Sequence, residues 1–434
     1  MTRIDVRRMV VMLCCGVAVS SSAAAATLCV GSKAGCYSTI GAAVAAANAG
    51  DTINVAQGIY PEDVVIGKSL SLVGKNPANT IIDASGLANG IYIDGLDNPG
   101  LSHVTVSGFM VRNANFEGVL ITNASFVTLD NNRISGNDQG LVLTDMGPTC
   151  PGLPPFETAE GLDCGEGVHV IALDHSTLSN NLVENNAGGY LVSDETGPTH
   201  DNLITGNVVR NNVLDCGITI PTHPPAPQFG PRAPFGIYSN TVSNNVVSGN
   251  GVNGAGAGVG LFGFLPGGRV SDNVVTGNII TGNGLPGIAI HAHSPGLNIG
   301  NNSFIGNYIA GNGQDTADAA TPGPTGINVY SLFPIYGTVA EQNVIKSEAV
   351  DIVFNIAVPA GPTASMEAHN NNLNGQGIGV DNIGFGVVNA TNNWWGCANG
   401  PNGNGCSSVE GVGVQDTPFF SSPAVPNGSP KAQQ

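Results

Sequence analysis

Short apolar strands punctuated by glycine and asparagine run through the whole chain. A Gly-led signature recurs as GIYI (90 to 93), GVLI (118 to 121), GLVL (140 to 143), GVHV (167 to 170), GYLV (189 to 192), GITI (217 to 220), GVGL (258 to 261), GIAI (287 to 290) and GINV (326 to 329). An Asn-led signature alternates with it: NNRISGN (131 to 137), NNLVENN (180 to 186), GNVVRNN (206 to 212), NNVVSGN (244 to 250), DNVVTGN (272 to 278) and GNYIAGN (306 to 312). The tightest intervals, Gly118 to Gly140 and Gly167 to Gly189, are 22 residues. That is too short for strands plus a crossover helix, so βαβ units are excluded and an all-β parallel solenoid remains. Its coils would stack at about 4.8 Å, strand over strand. Asn is expected at one turn of each coil, both to accept left-handed backbone and to bond the amides above and below. Gly before each strand is expected to give the other corner a positive φ.

The chain ahead of these repeats reads differently. In STIGAAVAAANAGDTINVAQGIYPEDVVIGKSLSLVG (38 to 74), Ile40, Ala43, Val44 and Ala47 share one face of an amphipathic helix that would plug the open end of the apolar core. At the far end, NNWWGCANGPNGNGC (392 to 406) would close the core, with Trp394 and Trp395 as a seal or as an exposed sugar platform. On these segments and repeats the chain resembles the right-handed parallel β-helix proteins of the pectin-lyase-like superfamily, particularly the exported bacterial NosD-like group. The resemblance covers nearly the whole mature chain. It implies a single-stranded right-handed parallel β-helix of about 9–11 coils with a short N-terminal capping helix. The expected segments are a signal peptide (1–26), the cap with its helix (27–50), the β-helix (51–420) and a disordered tail (421–434).

Targeting follows from three arginines in MTRIDVRRM, the short apolar VVMLCCGVAV and the small residues up to Ala26, which together read as a secretory leader. No later stretch is long and apolar enough to span a membrane. A secreted, periplasmic or cell-surface location is therefore expected. Removing the leader leaves 10 basic against 30 acidic residues, a net −20 that repels nucleic acid and acidic polymers unless a cation such as Ca²⁺ bridges them. Charged residues are only 10% of the chain, too few to solvate a helical bundle. Six cysteines fall into close pairs, Cys29 with Cys36, Cys150 with Cys164 and Cys397 with Cys406, which read as disulfides of an exported protein. Cys216 is left as a buried thiol.

Aligning the Gly-led strands by their glycine places positions +2, +4 and +6 outward on one sheet face. Position +6 then stacks Glu195, His223, Phe264 and His293, with Ser193, Phe262, His291 and Tyr330 at +4 and Asp194 and Asp215 flanking the column. Carboxylates and imidazoles suit proton transfer, and rings suit stacking on pyranose faces. The expected catalytic residues are Glu195, His223, His291, His293, Asp194 and Asp215. The expected substrate contacts are Phe262, Phe264, Tyr330 and Ser193. Insertions at 145 to 166, 221 to 236 and 314 to 325 would wall the face. A metal site from His223, His291, His293 and Glu195 is a weaker variant, lacking ligand spacing on one element. The polygalacturonase signatures are missing. Asp174-His175 and Arg232-Ala-Pro234 match only fragments of the pectate lyase patterns, with Ile237 where the closing arginine should stand.

The expectation is a monomeric exported protein that binds a polysaccharide along the face, with cleavage or epimerisation as chemistry the face could support, and with no certain cofactor, Ca²⁺ being the candidate. The alternatives are a non-catalytic glycan-binding or adhesion module, and a NosD-like copper-site maturation factor.

Overall fold

The structure, a computed structural model, describes residues 24–145, 147–157, 164–253, 256–317, 319–359, 364–373 and 377–424. The expected leader up to residue 23 and the tail beyond residue 424 lie outside them. From strand Val119–Thr122 the chain passes to Thr128–Asp130 and Arg133–Ser135, then enters the next coil at Glu166–Ile171. Each of the three pairs in parallel with its equivalent one coil away, for example Val119↔Val168, Leu129↔Leu178 and Ile134↔Val183. The result is a β-helix of three long sheets, with 14, 12 and 11 strands among the described residues. The 12-stranded sheet carries the Gly-led strands and is called the face sheet below.

Three-residue strands suffice because only the middle residue must point inward. Thr128–Asp130 and Thr177–Ser179 bury Leu129 and Leu178 and leave their neighbours half-buried. One continuous apolar cluster runs along the axis from Val30 to Trp395. The helix Ile40–Ala46 lays Ile40, Ala43 and Val44 on this cluster, and Thr39 caps it by accepting from the Ala42 backbone N–H. At the other end Trp395 is fully buried and Trp394 half-buried, so the tryptophan pair seals the core. All three expected disulfides are formed.

Three details differ from the sequence reading. GLVL at 140 to 143 is not a coil strand: Val142–Thr144 folds back antiparallel on Gly147–Thr149, and Val142 and Leu143 are exposed. Val119–Thr122 pairs directly with Val168–Ile171, so the apparent 22-residue repeat hides a long insertion. The sequence signature also misses face strands without a leading glycine, such as Val64–Ile66 and Val350–Ile356.

The second difference concerns asparagine. One stack runs Asn132, Asn181, Asn207, Asn245, Asn278, Asn307, Asn343, Asn371, Asn393, each Oδ1 accepting from the backbone N–H and amide of the preceding Asn. A parallel stack runs Asn137, Asn186, Asn212, Asn250, Asn283, Asn312 and ends on Glu348, whose carboxylate accepts from Asn312 at 3.0 Å. Burial raises the Glu348 carboxyl to about 7 against the pull of those Asn312 bonds. The left-handed residue is not the stacked one but its predecessor, as in Asn131 (φ 53), Asn180 (φ 53), Asn244 (φ 55), Gly249 (φ 65) and Gly282 (φ 65). Turning the chain and bonding the stack are thus divided between adjacent residues.

The third difference is the glycine before each face strand, which does not take a positive φ. At Gly217 a Cβ would come within 2.4 Å of Val247 Cγ1 and 2.8 Å of Asn250 Nδ2. The glycine leaves room for the core and for the Asn stack rather than making a corner.

Candidate functional site

The face sheet holds position +4 in register across the coils, pairing Ile171↔Ser193, Pro221↔Phe262, Phe262↔His291 and His291↔Tyr330. Thr144, aligned with this column by the GLVL signature, sits instead in the insertion hairpin, and Met146 lies outside the described residues. Position +6 lies just beyond the paired strands, whose ladders end at Thr222↔Gly263 and Gly263↔Ala292. Its four residues meet as two pairs. Phe264 stacks on His293 with ring centroids 4.7 Å apart, and His223 Nδ1 meets Glu195 Oε1 at 2.7 Å.

The two pairs have different environments. Phe264 is 46% exposed, with His293 and Tyr330 half-buried beside it, their rings 5.6 Å apart. Phe262 and His291 lie alongside at 5.2 Å, and His291 Nε2 faces Asp315 of the 314–325 insertion at 3.3 Å. This is a ring-lined platform over three coils. Glu195 and His223, by contrast, face outward from the sheet yet are buried, because the 221–236 insertion folds back over them. Ala226 N–H donates to the Glu195 carbonyl, and Asp194 accepts from the backbone N–H groups of His223 (2.8 Å) and Gly236 (2.6 Å).

Under that cover a polar chain crosses three coils. His169 Nε2 lies 2.9 Å from Ser193 Oγ, and Ser193 donates to Glu195 Oε2 at 2.5 Å. Burial alone would raise the Glu195 carboxyl, but attraction and hydrogen bonding to His223, with help from His169 and Ser193, bring it down to about 2. Its neighbour Asp194 goes the other way: burial raises it to about 7, the two backbone donors oppose this and the Glu195 charge adds to it. Two adjacent carboxylates are therefore driven far apart by their surroundings. Asp215 is also raised by burial, but it precedes the strand Ile218–Thr222 whereas His223 follows it. Burial likewise raises the thiol of Cys216, which accepts from Ala257 N–H at 3.1 Å, as suits a buried structural thiol.

Two groups escaped the sequence reading. His169 sits at position +2 of its strand, on the outward parity, and meets Glu157 from the first insertion and Glu117 from the coil before. On the surface, His103, Phe126, His175, His200 and Tyr238 stack ring on ring with centroids 4.8–5.8 Å apart, and the Arg269 guanidinium lies 3.8 Å over Tyr238. His103, Phe126 and His175 occupy one left-handed turn position in successive coils (φ 49–56). Asp174 bonds His175 Nδ1 at 2.7 Å and Asp201 bonds His200 Nδ1 at 2.9 Å. His175, His200 and Asp201 each offer a ligand atom within 4.8 Å of the others. Counting rings at that turn would have exposed the stack in the sequence.

Residues 156–331 match the family described as periplasmic copper-binding protein (NosD). No curated protein sequence matches the chain. Among solved structures, the Dettilon tailspike protein (gp208) is similar with TM-score 0.55 at 12% identity, over 84% of this chain and 62% of that one. The alginate lyase of Paenibacillus sp. str. FPU-7 aligns with TM-score 0.47 at 16% identity, over 74% of this chain and 95% of the lyase. The mannuronan C-5 epimerase AlgE4 A-module of Azotobacter vinelandii aligns with TM-score 0.46 at 16% identity, over 88% and 94%. Among the described residues no helix is long and apolar enough to cross a membrane. With its parallel coils, capping helix and tryptophan seal, the chain is a right-handed parallel β-helix repeat protein, and its residues 156–331 are similar to NosD.

Proposed function

We propose that this is an exported polysaccharide-binding β-helix protein with acid/base chemistry on its face sheet. The rings of Phe264, His293 and Tyr330 offer stacking surfaces for sugar, and the hydrogen-bonded set Glu195, His223 and Asp194, next along the same column, supplies the proton-transfer groups. The observation that carries this reading is the opposed shift of adjacent carboxylates, Asp194 up to about 7 and Glu195 down to about 2, beside an imidazole. Such a pair supplies one proton donor and one ionised partner near neutral pH. No Lys or Arg stands in the +4 or +6 positions, so a neutral glycan, or a uronate bridged by Ca²⁺, fits better than an unaided anionic polymer.

The test is a glycan panel with reducing-end and unsaturated-product readouts, with and without Ca²⁺. Turnover is expected in the wild type, and Glu195→Gln combined with His223→Ala should lower kcat by at least about 100-fold, the usual contribution of a proton-transfer group. Phe264→Ala should raise KM while leaving kcat nearly unchanged. Turnover that survives the double substitution would refute the reading. Binding without turnover in the wild type would reduce the protein to a glycan-binding module.

A second reading rests on the family match together with the surface cluster. Two imidazoles and a carboxylate suit Cu²⁺, and each ring already has its Nδ1 tied to a carboxylate, the contact that orients metal-binding imidazoles. A copper ion would be held by His175, His200 and Asp201. Titration with Cu²⁺ followed by visible absorption should show one surface ion per chain, lost in His175→Ala/His200→Ala. Copper uptake unchanged by that double substitution would sink this assignment.

A further inference from the structure

Glu117, Glu157 and His169 come from three distant stretches of chain. Glu117 precedes the strand Val119–Thr122, His169 lies within Glu166–Ile171, and Glu157 reaches in from the insertion tied by Cys150–Cys164. Their ligand atoms lie within 4.8 Å of one another, and the residues are only 0%, 6% and 0% exposed, in the order named.

The hydrogen-bond pattern fixes the imidazole. The single hydroxyl proton of Ser193 goes to Glu195 Oε2, so Ser193 Oγ must accept from His169 Nε2–H. In neutral His169 this leaves the Nδ1 lone pair aimed at Glu157 Oε2, 3.5 Å away. Lone pair facing carboxylate is repulsive, and 3.5 Å is too long for a charge-assisted hydrogen bond of about 2.7–2.9 Å. It does match the spacing of two ligands on one tetrahedral cation, about 3.4 Å for bonds of about 2.0–2.1 Å. Among the described residues neither carboxylate oxygen of Glu157 has a hydrogen-bond partner, although the residue is almost wholly buried. The Glu166 backbone N–H donates to Glu117 Oε2 at 3.0 Å and holds that carboxylate in place. A dry cluster of acids calls for a compensating positive charge.

We propose that Glu117, Glu157 and His169 form a binding site for one divalent cation, Zn²⁺ or Mn²⁺, with water completing its shell. Two carboxylates and one imidazole, without sulfur, suit these ions, whereas the surface pair His175 and His200 is the richer in imidazole. The ion ties the first insertion to the face sheet and fixes the orientation of His169, and through it the Ser193–Glu195 contact. The site stands on its own geometry and does not depend on the glycan reading.

The experiment uses the mature chain carrying His175→Ala/His200→Ala, so that the surface pair cannot contribute. After dialysis against chelator, isothermal titration with ZnCl₂ and MnCl₂ and elemental analysis should give one ion per chain. Zinc should raise the thermal midpoint and slow proteolysis of the 145–166 insertion. Glu157→Gln in the same background should weaken binding by at least about 100-fold, since it removes a direct ligand. If Glu157→Gln fails to fold by circular dichroism, Glu117→Gln gives the same readout. The proposal is overturned by the absence of a stoichiometric ion, or by an affinity that these substitutions leave unchanged. A fully protonated His169 paired with Glu157 would give the first of those results.

Discussion

Asn245→Ala is expected to lower the unfolding free energy by about 4 kcal/mol, whereas Asn244→Ala, one residue earlier, should cost about 1 kcal/mol and Asn244→Gly almost nothing. The Asn245 amide makes four contacts of 2.9–3.0 Å: it accepts from Asn207 N–H and Nδ2 and donates to the Ile204 carbonyl and Asn278 Oδ1. Removing it strands buried groups on both neighbouring coils, at about 1–3 kcal/mol each. Asn244 is exposed and supplies only a left-handed backbone (φ 55), which glycine adopts freely. Urea unfolding of the three variants would read the difference directly, with an unchanged slope confirming that only stability moved. Equal losses at 244 and 245 would show that the stacked amides are not what binds coil to coil. Because each coil touches only its neighbours, the loss should be nearly the same at Asn278, and larger at Asn207, whose Oδ1 also accepts from the buried Tyr190 hydroxyl.

The same adjacent pair shows how far the sequence can be read. Apolar spacing and the Asn-led signature gave the solenoid, its capping helix and its tryptophan seal, since these depend on local period and on stacking of equivalent positions. The local pattern could not separate the Asn that turns from the Asn that bonds, because both sit in one NN dipeptide. It also accepted GLVL as a coil, for a four-residue apolar run looks alike in a hairpin and in a ladder. The outward columns put Glu195 next to His223 and Phe264 next to His293, but parity says nothing about cover. Whether an outward residue is wet depends on where an insertion folds, and that is decided by contacts such as Asp194 to Gly236 across 42 positions. The Glu117, Glu157 and His169 cluster was illegible for the same reason: Glu157 belongs to an insertion, outside any repeat.

His223→Ala should cost about 3–5 kcal/mol at pH 7, the usual consequence of leaving one member of a buried ion pair behind, and the loss should shrink on acidification. In the wild type the Glu195 carboxyl is lowered from 4.5 to about 2, so its contribution is present above about 4.5 and lost as pH falls through about 2. Asp194 is raised from 3.8 to about 7, so its contribution is present below about 3.8 and lost as pH rises through about 7. The two neighbours together place their combined optimum near pH 4, between the unfolded values of 3.8 and 4.5. Without the His223 ring, burial dominates at Glu195 and its carboxyl moves above the ordinary range, so that it too favours the acid side. The backbone N–H of residue 223 remains to hold Asp194, which loses only the smaller attraction of the His223 ring. Denaturant unfolding of wild type and variant at pH 3, 5 and 7 should show the gap narrowing steadily toward pH 3, with the rest of the pair's contribution lost only as pH falls through about 2. A gap of constant size across that range would mean that His223 fills space without holding Glu195 ionised, and the acid/base role of the pair would fall with it.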